Sequence, residues 1–337
     1  MNSASTNTPS RSEDAGKDNS HPALRFLRVW GTILVMIVVI IGFSFASPYF
    51  MKVSNINNVV FSMFTSAMLS MGLTYVVAAG SFDLSIGIIV TTASIVCAMC
   101  IPVTGAPIAI LVALLVSAGI GLVNGFLVTY MRISGIVATI GAMFLLEGLN
   151  QYLTGGYQIA VNYDETFFRW LGQGRLGMIA VKPIFLVLFF AIGFVIFNKL
   201  RTGHYISAVG DNPLAAYYSG IPVYRWVIVS FMICGVFCGL AGVFLASTSS
   251  SAQPTGGAGY LLEAFAAVFL GATILGKGKP HILGTLLGVF FLYLVSNGMT
   301  QFGIDSSARK LFNGFVLLAA VGANSFLNRE ELHLKFI

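Results

Sequence analysis

The chain is a succession of apolar runs, each roughly 18 to 25 residues long and almost free of charge, separated by short polar breaks. A run of that length forms a helix about 30 Å long, which matches the hydrocarbon core of a bilayer. In lipid every backbone N–H and C=O must be satisfied internally, so helices are the structures such runs adopt. Marking them gives spans at approximately 30–49, 58–80, 84–102, 107–130, 134–154, 182–199, 226–247, 259–276, 281–301 and 307–325. Composition agrees: 57% of residues are hydrophobic and 9% charged, and the mean hydropathy is +0.88. A soluble domain is about one quarter charged, so this chain has too little polar surface to be one. The fold class is an all-α polytopic membrane protein of about ten transmembrane helices.

Residues 1–28 are polar, rich in Ser and Asn and of mixed charge, and read as a disordered tail. Residues 29–326 form the transmembrane domain and 327–337 a second tail. A secretory signal is the competing reading of the first apolar segment, Trp30 to Phe50. That segment is too long for a signal core and lacks a small-residue cleavage site. With the amino terminus inside, 12 basic residues fall on the cytoplasmic side, namely Arg11, Lys17, Arg25, Arg28, Arg132, Lys199, Arg201, Arg225, Lys277, Lys279, Arg329 and Lys335. Six fall outside: Lys52, Arg169, Arg175, Lys182, Arg309 and Lys310. This excess places the N and C termini in the cytoplasm. The net charge of +6 follows from that topology. No basic cluster interleaved with aromatics points to nucleic acid.

Two segments depart from plain membrane helix. Residues 155–181 carry Asp164, Glu165, Arg169 and Arg175 among aromatics and read as an exposed loop with a short amphipathic helix. It serves either as a connector or as a docking or gating surface for a ligand-delivering partner. The loop Gly203–Arg225 lies on the cytoplasmic side. There Asp211 or Asn212 caps a helix that holds Pro213 in its first turn and ends at Gly220. This reading puts glycine breaks at Gly210 and Gly220 and leaves Ala215, Ala216, Tyr217 and Tyr218 on the surface. Such a helix either seats in a groove of another protein or is a solvated turn.

The run AVGDNPLAAYYSGIPVYR within this loop resembles the cytoplasmic-loop signature of the permease subunits of the ribose-type branch of bacterial ABC sugar importers. Three further blocks agree in order: GLTYVVAAGSFDLSIG from Gly72, GLVNGFLVTYMRISGIVATIGAMFLLEGL from Gly121, and GYLLEAFAAVFLGATILGKGKPHILGTLLG from Gly259. The resemblance implies a permease core in the bacterial inner membrane, paired with a second copy or a paralogue. It further implies cassette ATPase subunits beneath the core and a periplasmic binding protein that delivers a monosaccharide. Gly210, Asp211, Asn212, Ala215, Ala216, Gly220 and Ile221 then form the coupling loop to the ATPase. The chain itself is expected to be no enzyme and to bind no cofactor, ATP being used by the partner. In GATILGKG, from Gly271, the phosphate-loop spacing is present, but Gly278 stands where a magnesium-binding Ser or Thr is needed. The chain departs from the family at Gly276–Pro280 and at Gly80–Ser85, which bears on the identity of the sugar.

Asp83, Glu147 and Glu263 would each cost about 2.5 kcal/mol or more facing lipid at mid-bilayer, so each faces protein, water or the interface. Asp83 sits where GSFDLSIG breaks the apolar run and reads as a helix cap. Asn124, Glu147, Asn150, Glu263 and Asn297 are the candidates for the translocation pathway, with packing between helices as the alternative role. Cys97, Cys100, Cys234 and Cys238 read as small apolar packers and the four histidines are dispersed, so no metal site is expected. An ion-coupled secondary carrier for a small polar solute is the alternative function, and it is poorly supplied with carboxylates for a proton relay.

Overall fold

The computed structural model describes residues 22–161, 166–177, 179–276 and 278–327. Asp164, Glu165, Lys277 and the basic residues Arg11, Lys17, Arg329 and Lys335 lie outside these, as do residues 1–21 of the expected tail. Each expected span corresponds to helix. In chain order the helices are α1 (Pro22–Ala46), α2 (Val53–Ser62), α3 (Phe64–Ala78), α4 (Ile86–Thr104), α5 (Ala106–Thr129), α6 (Gly135–Thr154) and α7 (Thr166–Gln173). There follow α8 (Val181–Asn198), α9 (Arg201–Asp211), α10 (Pro213–Tyr218), α11 (Val223–Ser249), α12 (Tyr260–Ile274), α13 (Ile282–Gln301) and α14 (Ser306–Leu327). α1 starts at Pro22, so residues 22–28 of the expected tail are helical.

Among the described residues six helices, α4, α5, α6, α8, α11 and α13, are long and apolar enough to cross a membrane singly. The expected span 58–80 is instead a pair, α2 and α3, bent by 51° at Met63, and counting it gives seven. α12 has 15 residues, a length of about 22 Å that falls short of a full hydrocarbon core. The count of ten crossings rests on the sequence.

The core is built around α11, which packs against α3, α4 and α5. Small residues make this possible. A Cβ on Gly235 would collide with the Ser117 carbonyl of α5, and one on Gly121 with the Phe231 carbonyl of α11, so the two backbones cross in direct contact. α3 is buried along almost its whole length, with Tyr75 stacked near Phe237 and edge-on to Phe197. α5, α6 and α8 turn Leu115, Leu145 and Val187 outward, 63%, 78% and 69% exposed, as helices facing lipid do.

The connecting segments sort to two ends of the bundle. At one end, Lys279 of the α12–α13 turn bonds Asp211 of α9, and Gly80 after α3 packs on Gly210. At the other, β1 (Ile159–Ala160) pairs antiparallel with β4 (Ser251–Ala252) in the register Ile159 with Ala252. There too β2 (Arg175–Leu176) pairs with β3 (Ile179–Ala180), and Ser47 after α1 bonds Gln301 at the end of α13. The expected amphipathic helix in 155–181 is α7, which buries Phe168 and Leu171 against the bundle and leaves Phe167 exposed.

Candidate functional site

At the α9–α10 end, α10 is defined at both termini by its own sequence. Asn212 is the N-cap: its Oδ1 accepts from Ala215 N at 3.0 Å, and Pro213 follows at the first helical position, where no N–H is required. At the far end Gly220 has φ of +79°, Gly220 N donates to Tyr217 O at 2.9 Å and Ile221 N to Ala216 O at 3.0 Å. These paired bonds close the helix with a left-handed glycine.

One alternative is settled here in favour of Asn212, and two expectations change. Asp211 does not cap α10; it holds Lys279 Nζ through both carboxylate oxygens, at 2.8 and 2.9 Å. Gly210 is no break, because it lies inside α9, a helix that the polar composition of RTGHYISAVGD concealed. Its lack of a side chain serves packing, since a Cβ there would collide with Ala78 O. Ala216 is buried, so the exposed face of α10 consists of Leu214, Ala215, Tyr217 and Tyr218. Beside it a cleft of about 720 Å³ is lined by Tyr130, Leu214, Tyr217, Tyr224 and Arg225.

The pathway candidates separate into two groups. Asn124 and Asn150 are fully buried on the α4 side of the bundle: Asn124 Nδ2 donates to Ser85 Oγ at 2.9 Å, and Asn150 Nδ2 to Thr92 Oγ1 at 3.0 Å. Asp83 joins the first. Its Oδ1 accepts from Ser85 N at 2.8 Å and from Ser85 Oγ at 2.6 Å. The N-cap of α4 is Ser85, with no side-chain cap bond, so Asp83 shapes the entry to the helix instead of capping its first turn. Glu147, on α6, is half-buried and has no hydrogen-bond partner among the described residues.

Glu263 and Asn297 belong to a different set, a polar seam between α2–α3 and α13. Glu263, in the first turn of α12 where the helix dipole favours a negative charge, accepts from Ser66 Oγ at 2.7 Å and from Tyr293 OH at 2.8 Å. One turn along α13, Asn297 Oδ1 accepts from Asn55 Nδ2 at 2.8 Å and from Gln301 Nε2 at 3.0 Å. Towards the α9–α10 end the seam continues through Ser70 to Thr74, whose hydroxyl meets that of Thr285 at 2.9 Å. Ser66, Thr74, Thr285, Tyr293, Asn55 and Gln301 were not singled out from sequence. The signal that could have found them is their fourfold spacing: 66, 70, 74 on one helix and 293, 297, 301 on another. Lys182 is also buried, with its ammonium 4.5 Å from the Phe61 ring centre and 5.5 Å from that of Phe64.

A helical bundle with apolar outer faces, a polar seam inside and a self-capped helix at one end defines an all-α polytopic membrane protein. The model of the family described as branched-chain amino acid transport system / permease component matches residues 55–321, and the chain belongs to that family. It is 34% identical over 304 residues to the ribose import permease protein RbsC of Escherichia coli K12, covering 88% of this chain and 94% of that one. It is 34% identical to RbsC of Bacillus subtilis strain 168, over 86% of this chain and 91% of that one. With the L-arabinose transport system permease protein AraH of E. coli K12 the identity is 30%, over 91% and 94% of the two chains. No solved structure matches the chain.

Proposed function

We propose that the chain is the membrane-spanning subunit of an ABC importer that carries a monosaccharide, a ribose-like pentose or a related sugar, across the bacterial inner membrane. A separate cassette ATPase drives it, a periplasmic binding protein supplies it, and a second permease copy or a paralogue completes the core. The α9–α10 end is the cytoplasmic one, which puts both termini inside, and α7 with its flanking strands faces the binding protein. ATP is handled by the partner and no cofactor is held by this chain.

The observation that carries this reading is α10. It is capped at both ends, tied to the bundle through its neighbours Gly210 and Asp211, and presents Leu214, Tyr217 and Tyr218 at 64%, 66% and 79% exposure. A helix fixed so firmly behind and so apolar in front is suited to seat in a groove and to pass movement to α11, which follows it within the chain. The names of the relatives support sugar as cargo, and the seam offers the neutral hydroxyls and carboxamides that suit it.

The test is reconstitution with the ATPase and binding protein. Leu214→Glu and Tyr217→Glu, both on the exposed face, are expected to leave membrane insertion and folding intact and to abolish ATP-driven uptake. Normal uptake by these variants would refute the coupling role. Uptake by the isolated chain in liposomes under an ion gradient would establish the secondary-carrier alternative instead.

A further inference from the structure

At the end of the bundle opposite α10, a cleft of about 380 Å³ opens between the start of α2 and the end of α13. Ser54, Asn55, Asn58, Gln301, Tyr49 and Lys52 line it. Asn55 spends its amide hydrogens on Phe50 O and Asn297 Oδ1, both at 2.8 Å, and Gln301 Oε1 accepts from Ser47 Oγ at 2.7 Å. These bonds fix the wall. The side chains of Ser54 and Asn58, one turn apart on α2, have no hydrogen-bond partner among the described residues, so their donors and acceptors remain open to a ligand. Among the described residues that line it there is no carboxylate, and the one cation, Lys52, lies over the Tyr49 ring at 4.2 Å. Its wall is bonded to the polar seam, since Gln301 and Asn55 both bond Asn297, which lies one turn along α13 from Tyr293, the partner of Glu263.

We propose that this cleft is a receiving subsite for a neutral polyhydroxylated ligand, a monosaccharide, at the mouth of the seam. The proposal rests on the permease reading above and adds to it a place of first contact. A volume of a few hundred Å³ is that of a small-molecule pocket. Neutral carboxamides and hydroxyls exchange water for sugar hydroxyls at little net cost, so the ligand is oriented and still released onward. A cationic cargo would meet no countercharge here.

The experiment uses the complete transporter in proteoliposomes with labelled D-ribose and L-arabinose, comparing wild type with the double variant Ser54→Ala, Asn58→Ala. Both residues lack partners in the fold, so unfolding temperature should not change. Loss of two hydrogen bonds of about 1 kcal/mol each predicts roughly a thirtyfold fall in uptake, with ATPase stimulation by the sugar-loaded binding protein changed less than about twofold. Unchanged uptake overturns the subsite. A parallel fall in uptake and ATPase stimulation also overturns it, and marks the cleft as a docking face for the binding protein. If the wild-type complex imports neither sugar while its ATPase is active, the sugar-permease reading itself fails and takes the subsite with it.

Discussion

Gly210 of α9 and Gly80 after α3 meet backbone to backbone: a Cβ built on Gly80 would lie 3.5 Å from Gly210 Cα. A Cβ on Gly210 would collide with Ala78 O, while Gly80 has φ of +78°, a conformation that favours glycine. The contact joins the helix before α10 to the most deeply buried helix of the core.

Gly210→Val should therefore destabilise the folded chain by about 1–3 kcal/mol, the usual cost of forcing atoms into a packed contact. Thermal unfolding in detergent would measure it. An unfolding temperature equal to that of wild type would show that the two segments do not touch as described.

The Asp211–Lys279 pair behaves differently. Its side chains are 55% and 62% exposed, so its contribution to stability is about 0–1 kcal/mol and is screened by salt. Asp211→Asn should leave unfolding nearly unchanged, and any difference from wild type should vanish at high ionic strength. A large, salt-independent loss would mean that the carboxylate has a buried partner.

Asp83 Oδ2 and Asn124 Oδ1 are both buried acceptors without a donor, and the two side chains meet at Ser85, whose hydroxyl donates to Asp83 Oδ1 and accepts from Asn124 Nδ2. Asp83→Asn removes the buried acceptor that has no donor, while its remaining oxygen still accepts from Ser85. That variant is expected to be neutral or stabilising, whereas Asp83→Ala strips Ser85 of its acceptor and should cost about 1–3 kcal/mol. Comparing the two unfolding temperatures decides the matter, and equal losses would refute the arrangement.

His281 is the N-cap of α13, with Nδ1 accepting from Gly284 N at 3.1 Å. The bond requires the neutral ring, and burial lowers the His281 pKa below its usual 6.5. The folded state thus binds fewer protons than the unfolded one, so stability rises with pH in this range. The contribution is complete above about pH 6.5 and is lost as pH falls through the lower folded value. His281→Asn keeps a capping oxygen and should flatten the dependence of unfolding temperature between about pH 7.5 and 5.

Much of the bundle was legible because lipid imposes one rule on every span, and the cap at Asn212–Pro213 was legible because its chemistry is local. α9 was not. Its sequence is polar with two glycines, and what holds it as helix is the burial of Ile206 and Val209 against the core, a tertiary effect. The bend at Met63 was hidden as well, since no Pro or Gly marks it in an unbroken apolar run. The seam was only half visible. Ser and Thr in apolar helices bond back to the preceding turn, as Ser70 and Thr74 do, so spacing alone does not separate that habit from contact with another helix.

The bend between α2 and α3 gives the bundle a lever. α3 is clamped in the core, while α2 is a rod of about 15 Å that packs Ile56 and Val59 with Phe50 and Leu294 and bonds Phe50 and Asn297 through Asn55. A change of roughly 10° at Met63 swings its far tip by about 2.5 Å, close to the reach of one hydrogen bond. A swing of that size would break the Asn55–Asn297 bond and shift Val59 against Leu294, so the polar tie and the apolar packing of α2 would change together.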